Sequence, residues 1–470
     1  LKSASNVLGY ISEVNEETAK KDPYYEQGEL IGAWGIEKQY ENILRGVKGK
    51  KYLHRDRLNK IMGPFKEGIY DSETINGKDL TITIDSKLQQ YGEFLMQGKR
   101  GGIVAIEPSS GEILSLITSP SYDPNRLVGR ARSKNSVELF GDSINQPMMD
   151  RGLQFNYPPG SPFKLINALI GLQEGVIDEN THFYCYNGYR YGKRKHEFME
   201  CHSDMYGKPI RLNRAISKSC NSYFANTYKR IIEKNNQPEE GLNQWSEHVK
   251  SFGLGNYLGY DLPFGQRGFV PDGNYYNKMY PYKWNASTNI SNAIGQGELL
   301  TTPIQLANIT SAIANRGYFY TPHIVKKIDN KVITDSAYNI PKYTSIDKEH
   351  FEPVIEGMHE VFKSGTASWV KIDGIDMVGK TGTAENFTSI NGKKIQLADH
   401  SILVAFAPKD DPKIAIAVFI ENGGYGASVA APITSLLIEK YLTGKVKRKW
   451  MEDLMIKKNL YSIYDRQTLD

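Results

Sequence analysis

Two pairs of short apolar runs, one early and one late in the chain, constrain this fold more than any other feature. Ile103 to Glu107 and Ile113 to Thr118 flank Pro108-Ser109-Ser110-Gly111; Ser401 to Ala407 and Lys413 to Ile420 flank Lys409-Asp410-Asp411-Pro412. Strand-length apolar runs around turn residues predict two hairpins. A further strand is expected over Asp376 to Gly379, leading into Lys380, and a helix from about Pro432 to Leu442. Between the hairpins, over roughly 155 to 370, apolar spacings such as Ile304, Leu306, Ile309 and Ile313 point to a mostly helical stretch. The expected architecture is mixed α+β: a sheet split in sequence, carrying a large helical insert.

With 470 residues, 40% hydrophobic and 24% charged, the chain can bury one large core with smaller additions. A net charge of +5 is small for this length and argues against nucleic acid as a partner. No apolar run reaches membrane-spanning length. The chain opens on Leu1-Lys2-Ser3, without a Met, so an anchor or signal segment is expected upstream. Residues 1–95 are polar and suit an accessory module, closed by a strand at Leu80 to Ile84 and a helix capped by Asp85 or Ser86. The main domain is expected over 96–444. The tail, 445–470, begins Lys445-Val446-Lys447-Arg448-Lys449-Trp450 and reads as a solvated end or as a contact with a membrane surface.

Three fragments carry chemistry: Ser161-Pro162-Phe163-Lys164, Ser219-Cys220-Asn221 and Lys380-Thr381-Gly382-Thr383. A Lys-Thr-Gly should arise by chance only ~0.1 times in such a chain, and the joint order is much rarer. Pro158-Pro159-Gly160 forbids a helix before Ser161, whereas Pro162 has the preset φ of a first helical residue. Ser161 therefore sits at a helix N-terminus, with Lys164 on the same face as a base for its hydroxyl. Phe163, Ile166 and Leu169 indicate burial, which lowers the lysine pKa. Ser219 can relay a proton, and Asn221 can donate to and accept from a peptide-like substrate. Lys380 supplies positive charge, the Thr381 and Thr383 hydroxyls can hold a carboxylate, and Gly382 admits a close neighbour. The N–H groups of Ser161 and Thr383 can form an oxyanion hole, in which each donor is worth about 3 kcal/mol. The expected activity is acyl transfer through Ser161.

Cys185, Cys201, His202 and Cys220 fall close together in sequence. Thiolates with an imidazole make a sensible tetrahedral zinc set, with His196 as reserve ligand, although the spacing is not that of a standard finger. A Cys185–Cys201 disulfide and free thiols are the other readings.

The Ser-x-x-Lys, Ser-x-Asn and Lys-Thr-Gly set resembles that of penicillin-binding proteins and serine β-lactamases. Further matches are Ser121-Tyr122-Asp123-Pro124-Asn125, Tyr157-Pro158-Pro159-Gly160, Gly295-Gln296-Gly297, Gly365-Thr366-Ala367 and Glu421-Asn422-Gly423-Gly424. Upstream, Gly35-Ile36-Glu37-Lys38-Gln39-Tyr40 and Leu44-Arg45-Gly46 resemble the end of the pedestal, the dimerisation-type domain of class B members, and favour the elongation type. The resemblance implies a penicillin-binding transpeptidase fold: a central antiparallel sheet flanked by helices, with a small N-terminal pedestal remnant. It implies a D,D-transpeptidase that cross-links peptidoglycan stem peptides and is acylated by β-lactams. It also implies a periplasmic domain anchored in the inner membrane, with a membrane-embedded glycan polymerase and elongation-complex proteins as partners. Some such enzymes carry zinc near the active site, with partly different ligands. The other readings are a septal transpeptidase, a β-lactam sensor domain and a non-catalytic scaffold for the polymerase.

Overall fold

The computed structural model describes residues 3–280, 282–390 and 393–468. Its centre is an antiparallel sheet of β1 (Gly101–Ile106), β2 (Ile113–Ser119), β3 (Val378–Ala384), β4 (His400–Ala407) and β5 (Ile414–Ile420), in the spatial order β3-β4-β5-β1-β2. Both expected hairpins form. β5 joins them through a register that sets Ala415 opposite Ile106 and Ile420 opposite Gly101. β4 and β5 are buried at every position. Such continuous Ile, Val, Phe and Ala runs mark strands covered on both faces, in contrast to the alternating pattern of a half-exposed sheet.

Four buried or half-buried helices place the rest. α1 (Lys164–Gln173) is hydrophobic nearly all round and packs against α2 (Asn221–Ile232) inside the insert. α3 (Pro303–Ala314) lies against β5, β1 and β4; Thr302 and Gln305 close a reciprocal capping box at its start. α4 (Ala430–Thr443) packs against β4 and β5.

Two parts of the architecture, the insert and the tail, differ from the sequence expectation. The insert is not helical over 183–210: Phe183–Tyr184 pairs with Pro209–Ile210, and Gly188–Arg190 pairs with Phe198–Glu200. The strand Leu80–Ile82 stays out of the main sheet and pairs with Val325–Ile328 of the insert, fastening the N-terminal module to the large domain. That module is further tied by Tyr40 Oη donating to Asp261 at 2.7 Å and by Trp34 stacked on Phe264 at 4.4 Å.

The tail is no solvated end. After α5 (Lys449–Lys457) a last helix, Tyr461–Thr468, follows, and Met451, Met455, Leu460 and Tyr464 are buried against the main domain. Lys99, wholly buried, donates to Met455 O at 2.7 Å, and Tyr464 Oη donates to Glu421 O at 2.9 Å. Apolar residues four apart supply the buried stripe that the basic start of the tail conceals.

Candidate active site

Gly160 has φ 60°, a conformation that suits glycine, and its N–H donates to Gly295 O at 2.9 Å. The chain thereby turns sharply into a 3₁₀ turn, Ser161–Phe163, that runs on into α1. In 3₁₀ geometry side chains three apart eclipse, so Ser161 and Lys164 share one side. The second fragment lies in the link from the helix Leu212–Ser217 to α2. Ser219 there has φ 54°, a conformation that β-carbon residues seldom adopt and that concentrates at functional sites.

These two fragments meet through a hydrogen-bonded chain. Ser219 Oγ lies 3.1 Å from Ser161 Oγ, and Lys164 Nζ lies 3.1 Å from Ser219 Oγ and 2.9 Å from Ser219 O. Asn221 Oδ1 accepts from the same ammonium, while Asn221 Nδ2 donates to Glu200 O at 2.7 Å. Ser219 thus stands between Ser161 and Lys164. Burial pushes the Lys164 pKa down to about 8, opposed by electrostatic interaction with the nearby Cys201 and Cys220.

The third fragment lies on β3, the edge strand, whose outer side has no partner in the main sheet. Gly382 is opposite Ile402 and Thr383 opposite Ser401. The strand touches the nucleophile turn directly: a Cβ on Gly160 would come within 3.0 Å of Thr383 O. Lys380 is fully buried, its Nζ donating to Thr381 O at 2.9 Å. Burial, and then repulsion from Lys164, hold its pKa well below the usual lysine range. A substrate carboxylate would restore the ammonium, so the positive charge expected here is one that an anion completes. Thr366 Oγ1 lies 2.6 Å from Thr381 Oγ1. The sequence marks Gly365-Thr366-Ala367 without giving Thr366 a role.

Behind the second fragment lie the cysteines. Cys185, Cys201 and Cys220 are buried, are free of disulfides and have sulfurs all within 4.8 Å of one another. His202 does not join them: it is exposed, as is His196. The extended chain from Phe198–Glu200 alternates sides, so Cys201 and Ser203 point inward and His202 outward. Ser203 takes its place, with Oγ at 3.2 Å from Cys201 Sγ and 3.7 Å from Cys185 Sγ. The alternative of a Cys185–Cys201 disulfide is not realised. Cys201 and Cys220 are 3.7 Å apart; at Zn–S bonds of about 2.3 Å the edge of a sulfur tetrahedron is about 3.8 Å. The hydrogen bond between Cys201 and Cys220 lowers the pKa of Cys201 and raises that of Cys220. Asn221 N donates to Cys201 Sγ at 3.2 Å, joining cluster and catalytic fragment. The three converging thiols supply three of the four ligands of a tetrahedral zinc, and Ser203 Oγ hydrogen-bonds two of the sulfurs.

A second network supports the lead-in to Ser161. Tyr157 Oη donates to Glu421 at 2.7 Å, and the buried Arg151 Nε pairs with the same oxygen at 2.9 Å. Sequence reasoning matched Tyr157 and Glu421 as motif residues but did not pair them.

Among known proteins, the model of the penicillin-binding protein transpeptidase domain matches residues 101–439, and that of the penicillin-binding protein dimerisation domain matches residues 1–82. The peptidoglycan D,D-transpeptidase MrdA of Acinetobacter baumannii is 33% identical over 91% of the chain, which spans 63% of that relative's length. A crystal structure of Pseudomonas aeruginosa PBP2 in complex with WCK 5153 is similar with a TM-score of 0.77, at 30% identity over 96% of this chain and 91% of that one. PBP2 of Helicobacter pylori, solved in complex with MreC, is similar with a TM-score of 0.79, at 27% identity over 95% of this chain and 78% of that one.

Proposed function

Because the chain belongs to the penicillin-binding protein transpeptidase family, we propose that it is a peptidoglycan D,D-transpeptidase of the elongation type with Ser161 as its nucleophile. The observation that carries this reading is the chain Ser161–Ser219–Lys164, closed over by the Lys380–Thr383 strand.

Hydroxyl protons rotate, so with Lys164 neutral the Ser161 proton passes to Ser219 while Ser219 passes its own to the amine. Ser161 Oγ then bonds to the carbonyl carbon of the D-Ala-D-Ala amide. Ser161 N–H and Thr383 N–H hold the oxyanion. The C–N bond breaks, and the proton returns through Ser219 to the leaving D-alanine amine. An amine of a neighbouring stem peptide next attacks the ester, gives up its proton by the same route and releases Ser161. Asn221 and the unpaired edge of β3 hold the donor peptide as an added strand, with its carboxylate on Lys380, Thr381 and Thr383. A β-lactam would open on Ser161 in the same way and leave an acyl-enzyme.

Cys185, Cys201 and Cys220 would hold one zinc, with Ser203 hydrogen-bonding their sulfurs; it would brace Ser219-Cys220-Asn221 structurally. The same reading places the domain in the periplasm, tethered to the inner membrane, beside a glycan polymerase. The MreC complex of the Helicobacter pylori protein supports an elongation-complex partner for this chain too. Among the described residues no helix is long and apolar enough to cross a membrane. The MrdA relatives favour elongation over septal synthesis, and the intact lysine–serine relay argues against an idle scaffold.

The test is labelling with a fluorescent penicillin followed by mapping of the modified residue. Attachment at Ser161 is expected; attachment anywhere else would overturn the assignment.

A further inference from the structure

Two of the five tryptophans, Trp369 and Trp450, stand side by side on the surface, 43% and 57% exposed, with ring centroids 6.2 Å apart. They come from segments far apart in the chain, and Arg448 fastens the two together. Its Nη1 donates to Val370 O at 2.8 Å and Lys371 O at 3.2 Å, its Nη2 to Ser435 O at 3.1 Å, and its Nε pairs with Glu439 at 3.0 Å. The backbone that carries each indole is therefore anchored, which lowers the ordering left to be done when something binds. Lys371, Lys447 and Lys449 are exposed around the pair.

The pair lies a short length of chain from the third fragment. Thr366, whose hydroxyl meets Thr381, is three residues from Trp369, at most about 11 Å of extended chain. Whatever lies across the tryptophans is within reach of whatever lies along β3.

We propose that Trp369 and Trp450 form a stacking platform for sugar rings, holding the glycan strand from which the donor stem peptide hangs; this rests on the transpeptidase reading above. A pyranose ring has an apolar face of C–H groups and a polar rim. An indole offers the matching apolar face with one polar N–H at its edge. The three lysines complement the carboxylates that stem peptides carry along such a strand. A lipid surface would attract similar residue types, but nothing in lipid binding calls for adjacency to Thr366 and Thr381. The short chain distance from Trp369 to Thr366, whose hydroxyl meets Thr381, favours the glycan.

The experiment compares the full chain with the Trp369→Ala/Trp450→Ala double variant and with Trp450→Phe. Co-sedimentation uses purified uncross-linked glycan strands bearing stem peptides, and flotation uses vesicles of phosphatidylethanolamine and phosphatidylglycerol. The double variant is expected to bind strands at least about fivefold more weakly, with Trp450→Phe retaining most of the binding. Unchanged strand binding by the double variant overturns the platform, as does absence of strand binding by the unaltered protein, or a loss confined to vesicles. Penicillin labelling of the same samples reports separately on the nucleophile. Strand binding through the tryptophans without labelling at Ser161 would remove the transpeptidase reading and leave the platform standing.

Discussion

Gly382 lies directly beneath Pro162: a Cβ on Gly382 would come within 2.5 Å of Pro162 Cδ. The β3 strand and the nucleophile turn are in contact because residue 382 has no side chain. Gly382→Ala must push the two apart, with a stability cost of about 1–3 kcal/mol for overpacking. A displacement of the oxyanion donors should also lower penicillin acylation by about tenfold or more. Rapid-quench acylation and thermal melting of the variant check both effects; wild-type acylation would show that the contact does not set the pocket.

Acylation should follow the protonation of Lys164. Its pKa is lowered to about 8, and only the neutral amine accepts a proton, so the rate rises with pH up to about 8 and levels above it. Below that point each pH unit should cost about tenfold. Stopped-flow acylation by a chromogenic cephalosporin gives the profile; a flat response across about pH 6 to 9 would remove Lys164 as the base.

Ser219 mediates between Lys164 and Ser161 at 3.1 Å on either side. Ser219→Ala should reduce acylation by roughly 10²–10⁴. Cysteine at the same position should recover part of the rate, since a thiol can pass a proton. Equal rates for the alanine variant and the parent would make the relay superfluous.

Elemental analysis of purified protein should find about one zinc per chain. Because His202 faces outward and Ser203 inward, His202→Ala should leave the zinc content unchanged and Cys201→Ala should abolish it. Protein free of zinc with normal acylation would discard the metal, and zinc loss in His202→Ala would restore histidine to the ligand set.

Arg448 is largely buried and spends its donors on Glu439 and three backbone carbonyls. Arg448→Ala leaves the buried Glu439 without its ion-pair partner and should cost about 3–5 kcal/mol, read as a lowered denaturant midpoint. A variant as stable as the parent would mean that the tail packs without this anchor.

The catalytic fragments were legible because their chemistry is local: Pro162 presets a helix start, and the three-residue step from Ser161 to Lys164 fixes a shared face. The hairpins were legible because each strand is an unbroken apolar run bounded by turn residues. What escaped depends on contacts between distant segments. Nothing near Leu80–Ile82 says that its partner is Val325–Ile328. His202 looked like a ligand by adjacency to Cys201, whereas the extended backbone sends neighbours to opposite sides. The inward residue was Ser203, a type with weaker metal credentials in sequence. The tail misled in another way, since its charged opening hid Met451, Met455 and Tyr464 at helical spacing.

Tyr464 accepts from Arg100 N and donates to Glu421 O, and the Glu421 carboxylate holds Tyr157, four residues ahead of Ser161. The final helix is therefore a poor place to cut or to graft a reporter. Variants trimmed there would strip a prop from the scaffold of Ser161, and a reporter inserted within this helix would do the same.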